Sequence, residues 1–226
     1  MLLFDHFVSW RAFLRRSEAD SGRARLWLYP TLVVQLWTMV AAVAALWVYE
    51  RSPWGALRLI ALHGWRLWGS TGLVFVVAIM LGATIVKVAR PRRRRRIKMP
   101  GHVEGFAPHT SLELGWWALV SLSAGFSEEL IFRGFLIWAF TALLGLWGAA
   151  ALSVAVFAVV HGYQGGKGVL AVGIVGGLLT ALVLIFGSLW PAIAMHALVD
   201  LEQGVVAWLL FREVRSGDEL TTAVPA

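Results

Sequence analysis

Three pairs of side chains stand four residues apart in the C-terminal half of this chain: Glu129 with Arg133, Phe157 with His161, and His196 with Asp200. Glu128 adjoins the first pair. That spacing puts both members of a pair on one face of a helix. The setting is otherwise apolar: between Leu114 and Phe211 the remaining charged residues are Lys167 and Glu202. An ionisable group at the centre of a bilayer costs roughly 2.5–3.5 kcal/mol even on a lenient insertion scale, so it needs a job or a partner. Carboxylates beside imidazoles suit acid–base work on water, in which a carboxylate takes the proton, a histidine orients the water and a donor meets the oxyanion. The same groups suit two other uses. His161, His196, Glu128 and Asp200 are residue types that ligate zinc, and intramembrane Glu, His and Asp also form proton relays in transporters. The chain has no cysteine, which removes thiol nucleophiles, disulfides and cysteine-ligated zinc.

Those groups must be held by elements, and composition says which kind. The chain is 59% hydrophobic and 15% charged, where soluble domains average about 25% charged. Its mean hydropathy is +0.73. These values predict one all-α, polytopic transmembrane helix bundle. Leu26–Tyr49 and Leu67–Val86 are each long enough to cross about 30 Å of hydrocarbon. Further helices are expected near 112–127, 128–144, 148–162, 168–187 and 190–211, about seven in all, with the first two of these open to being one long kinked helix. Gly145 and Gly148 offer one break, and Gly187 with Pro191 another. Leu3, Phe7, Trp10 and Leu14 recur at helical spacing among arginines and predict an N-terminal amphipathic helix at the membrane interface. The segment Arg51–Trp68, rich in tryptophan and arginine, is expected to lie along the outer interface. The chain therefore divides into an interfacial helix over 1–25, two spans and a basic loop over 26–110, a helix bundle over 111–212 and a short polar tail over 213–226.

Charge orders these elements across the membrane. Five positive residues precede the first span, three separate it from the second, and eight follow the second, including the run Arg92–Arg96. The positive-inside rule places the N-terminus and the basic loop in the cytoplasm. The net charge of +7 is thus a topology anchor and a contact for anionic lipid, and nucleic acid is not an expected partner. Gly162–Gly168 around Lys167 lacks the spacing of a phosphate cradle and is expected to be a loop.

The stretches EELIFR (128–133), FAVVH (157–161) and HALVD (196–200) fit EExxxR, FxxxH and HxxxN/D in that order on successive apolar helices. Over roughly residues 112–210 the chain resembles the CPBP family, the CAAX proteases and bacteriocin-processing enzymes, also called type II CAAX prenyl endopeptidase-like. The resemblance implies an intramembrane, glutamate-dependent endopeptidase without a metal cofactor. Carried over by position, Glu128 would be the general base and His161 would orient or polarise the water. His196 and Asp200 would stand where the family stabilises the oxyanion, with Glu129, Arg133 and Phe157 in support. Chemistry fits that division: Arg133 is four residues from Glu129 and five from Glu128, so it should hold Glu129 and leave Glu128 freer to act. Asp200 departs from the Asn usual in the prenyl-protease branch. It can orient His196 through a ring nitrogen, or donate only if protonated. The expected partners are the lipid bilayer and a membrane-associated protein or peptide, and the expected place is the bacterial inner membrane. A non-catalytic immunity or partner protein, a zinc-dependent membrane hydrolase and a proton-coupled transporter are the competing readings.

Overall fold

The computed structural model describes residues 12–13, 15–17, 20–90 and 105–222, with the backbone alone for 212–222. The interfacial helix expected from Leu3 to Leu14, the run Arg92–Arg96 and the last residues of the tail lie outside the described residues. Among those described, every regular element is helical: α1 (Ser21–Tyr49), α2 (Gly64–Ala89), α3 (Ser111–Glu128), a π-helical segment (Glu129–Leu136), α4 (Ile137–Val160), α5 (Gly165–Phe186) and α6 (Trp190–Thr222), with short 3-10 turns at Trp54–Leu57 and Gly162–Gln164.

Among the described residues, five stretches are long and apolar enough to cross a membrane: Ser21–Tyr49, Gly64–Ala89, Ser111–Val160, Gly162–Phe186 and Trp190–Phe211. Of the seven expected, 112–127, 128–144 and most of 148–162 fall within Ser111–Val160. The first two are one continuous helical run through the π segment. The third is set off by Gly145, whose φ of 67° and ψ of 171° interrupt the helix. Only glycine adopts that backbone at no steric cost. At the other end of the chain, the tail expected from 213 continues as helix to Thr222.

The described chain packs as two units. The first comprises 1–32, 78–121 and 198–226. Its organising feature is the start of α3. Thr110 Oγ1 accepts the Glu113 N–H (3.2 Å) and Glu113 Oε2 accepts the Thr110 N–H (2.9 Å), a reciprocal capping box. Oε2 also takes the His109 N–H, and Oε1 pairs with Arg25 Nε at 3.0 Å, both side chains almost fully buried. Around this, the Tyr29 hydroxyl donates to the Phe106 carbonyl, Phe106 stacks on Trp117, and the Trp117 indole donates to the backbone carbonyl of Asp200. The helix that ends at Glu128 is thereby fixed at its beginning.

The second unit comprises 33–77 and 122–197. Its largest core gathers Trp47, Leu57, Leu130, Leu179, Val183, Leu189, Ala192 and Met195. Leu57 belongs to the connection expected to lie along the outer interface. Within it Leu57 is fully buried, the Arg58 carbonyl accepts the Leu189 N–H and the Ile60 carbonyl accepts the Ser188 hydroxyl, while Trp54, Trp65 and Trp68 are exposed. Apolar Ala56, Leu57 and Leu59 bury better in the helix cluster than at a wet interface.

Removing Glu113 would strand Arg25 in a buried site, which typically costs about 3–5 kcal/mol. Glu113→Ala is expected to lose about that much in detergent-micelle unfolding. Adding Arg25→Met should recover the part due to the stranded guanidinium, but not the part due to the His109 and Thr110 N–H groups left without an acceptor.

Candidate active site

The short contacts among Glu128, Glu129, Arg133, Phe157, His161 and His196 fall in the second unit, where helices approach closely at two points. At Gly125, an added Cβ would lie 3.0 Å from the Ala197 backbone nitrogen and 3.1 Å from the Ile193 carbonyl, so α3 and α6 touch there backbone to backbone. Small residues permit such contact between membrane helices. At Gly176 an added Cβ would lie 3.0 Å from Arg133 Nη2 and 2.9 Å from Phe157 Cδ1, so α5 closes on the π segment and α4 together.

Between these approaches lies an ion cluster. Glu129 and Arg133 have no exposed side-chain surface and pair at 2.9 Å through Oε1 and Nη1. Oε1 also takes His196 Nδ1 at 2.8 Å. With a carboxylate as partner, Nδ1 carries the hydrogen. Arg133 is further held by Thr180 Oγ1 at 3.2 Å and the Gly176 carbonyl at 3.0 Å. Its guanidinium carbon stands 4.2 Å over the Phe157 ring.

The π geometry accommodates this crowding. Residues 129–136 wind more widely than an α-helix, a form that recurs as short insertions at functional sites. Inside the segment, the Phe132 carbonyl accepts the Ser153 hydroxyl at 2.7 Å. The backbone polar groups of the segment are thus supported by α4.

Glu128 stands apart from the ion pair. Its Oε2 is buried without a hydrogen-bond partner. It faces His161 Nε2 at 4.0 Å and His196 Nε2 at 3.8 Å. Those gaps exceed a direct hydrogen bond, yet one small polar molecule between them would reach all three atoms. His161 is oriented by its own helix end. Its N–H bonds to the Ala158 carbonyl, which tightens the last turn, and its Nδ1–H donates to the Phe157 carbonyl at 2.7 Å. A neutral His161 therefore presents the lone pair of Nε2 towards Glu128.

Glu128, Glu129, Arg133, Phe157, His161 and His196 are thus brought together in one unit. Asp200 belongs to the first unit, one turn further along α6, where its backbone carbonyl takes the Trp117 indole. The carboxylate beside His196 Nδ1 is Glu129, a contact that sequence spacing did not suggest. Ser153, Gly176 and Thr180 support the cluster and were also missed, since nothing in their own helices marks them. Among the described residues, no group of three or more histidine, aspartate or glutamate side chains is placed to hold a metal ion.

The family model described as type II CAAX prenyl endopeptidase Rce1-like matches residues 110–201. The matched region holds the three motifs, begins at the capping box and ends one residue past Asp200. No curated protein and no solved structure gives a significant match. With five apolar helical stretches among the described residues and a match to a membrane-peptidase family model, the chain is an integral membrane protein.

The two glutamates should respond differently to substitution. Arg133→Met leaves Glu129 buried without its guanidinium and is expected to cost about 3–5 kcal/mol in micelle unfolding. Glu128→Gln removes no hydrogen bond from Oε2 and should cost less than about 1 kcal/mol.

Proposed function

We propose that the chain is an intramembrane endopeptidase that hydrolyses a peptide bond in a membrane-associated protein or peptide, with Glu128 as the base that activates water. The observation that carries this reading is Glu128 Oε2, buried, unpartnered and flanked by Nε2 of His161 and His196. In the proposed reaction a water between these groups gives one proton to Glu128 as its oxygen attacks the carbonyl carbon. His161 Nε2 accepts the water's other hydrogen and fixes its direction. The carbonyl becomes a tetrahedral oxyanion. Glu128 then returns its proton to the amide nitrogen, the C–N bond breaks to give a carboxylic acid and an amine, and the acid's proton passes to the amine, so that a carboxylate and an ammonium leave.

His196 meets the oxyanion from Nε2. With Nδ1–H committed to Glu129, it donates from Nε2 only as the imidazolium, and Glu129 lies against that charge. Counting Glu128 and Glu129 as −1 each, and Arg133 and protonated His196 as +1 each, the resting cluster is neutral, which suits a site in lipid. Asp200 is assigned to the oxyanion on its spacing from His196. Residues 111–212 form the catalytic bundle, the N-terminus faces the cytoplasm, and the bacterial inner membrane is the proposed location. The family's name makes a prenylated CAAX tail the first substrate to try. A leader or anchor of a membrane peptide is the next.

The test uses protein in liposomes with a panel of prenylated and unprenylated tail peptides. Glu128→Gln is expected to lower kcat by about 10²–10⁴-fold and His196→Ala by about 10²–10³-fold. Wild-type activity should persist in a chelator. Full turnover by a folded Glu128→Gln variant would refute the assignment.

A further inference from the structure

None of the three motifs that mark this site includes a residue of α5, yet α5 supplies two of the contacts that fix its buried cation. We propose that Gly176-x-x-x-Thr180 is a fourth element of the site. In it Thr180 is a positioning residue that aims Arg133, and through Arg133 sets Glu129 and the orientation of His196. The inference rests on the peptidase reading for its kinetic consequences, but not for its geometry.

The argument starts from hydrogen-bond capacity. A guanidinium has five N–H groups and accepts nothing, and in a fully buried setting each wants an acceptor. Arg133 uses all three nitrogens in different directions: Nη1 to Glu129 Oε1, Nη2 to the Gly176 carbonyl and Nε to Thr180 Oγ1. The Thr180 hydroxyl gives its own hydrogen to the Gly176 carbonyl at 2.8 Å. Only its oxygen lone pairs then remain for Arg133. The hydroxyl is thereby a one-way acceptor, a role that serine fills and valine cannot.

Space enforces the same orientation. The absence of a side chain at Gly176 lets Nη2 reach the backbone, since a Cβ there would crowd both Nη2 and the Phe157 ring. Phe157 covers a face of the guanidinium at 4.2 Å. The plane of Arg133 is consequently set by α5 and Phe157, and that plane fixes where Nη1 meets Oε1. Because His196 Nδ1 shares this same oxygen, a guanidinium that swings carries Glu129 with it and releases the hydrogen bond that holds the histidine's Nδ1–H form.

The experiment is ¹⁵N-histidine NMR on the full chain in micelles, where only six histidines contribute signals. It is paired with cleavage kinetics. Wild-type protein should show His196 hydrogen-bonded through Nδ1–H. Thr180→Val should shift its Nδ1 signal and lower kcat by about 10–100-fold, with KM changed less than about twofold. Thr180→Ser should restore both. Should the valine variant not fold, Thr180→Ala removes the same acceptor with less bulk. An unchanged His196 signal in a folded Thr180 variant lacking the hydroxyl overturns the positioning role. A shifted signal in a protein whose wild type cleaves nothing supports the positioning role and sinks the peptidase reading instead.

Discussion

One carboxylate oxygen, Oε1 of Glu129, accepts both Arg133 Nη1 and His196 Nδ1 in a site closed to solvent. An anion there has no water to lean on, and its stability depends wholly on those donors and on their remaining bonds being satisfied. Much of the second unit can be read as meeting that requirement. The π segment carries Glu129 and Arg133 on one widened turn, and Ser153 supports its backbone. Gly176 and Thr180 complete the guanidinium, and Gly125 lets α6 come close enough to bring His196 to the same oxygen.

That arrangement separates two neighbouring carboxylates that sequence alone makes look alike. Each keeps a buried Oε2 without a hydrogen bond, but Glu129 commits Oε1 to Arg133 and His196, while Glu128 Oε2 faces Nε2 of both histidines. The difference in environment is what gives adjacent residues different chemistry. The histidines follow the same logic. Each has Nδ1 occupied, one by the Phe157 carbonyl and the other by Glu129, so each turns Nε2 towards Glu128.

The readable part of this molecule was whatever one helix displays by itself. Spacing identified Glu129–Arg133 as a pair, hydropathy located the apolar stretches, and Gly145 announced its break. Contacts between helices left no comparable trace. His196 meets Glu129 across 67 residues, and Thr180 meets Arg133 across 47. Gly176 is one of 23 glycines, distinguished only by what packs against it. The π segment was also hidden, because its sequence is as compatible with an ordinary helix and only packing decides. The burial of Leu57 was hidden for a related reason: a tryptophan- and arginine-rich connection reads as an interface, and its apolar residues reveal their burial only against the helix cluster.

The central claim is that Glu128 turns water against a peptide bond within the membrane. It is tested most directly by mass spectrometry of protein termini in cells making either the wild-type chain or Glu128→Gln at equal levels. The account predicts a set of new termini in membrane proteins that is present with the wild type and missing with the variant. Identical termini in both would contradict it.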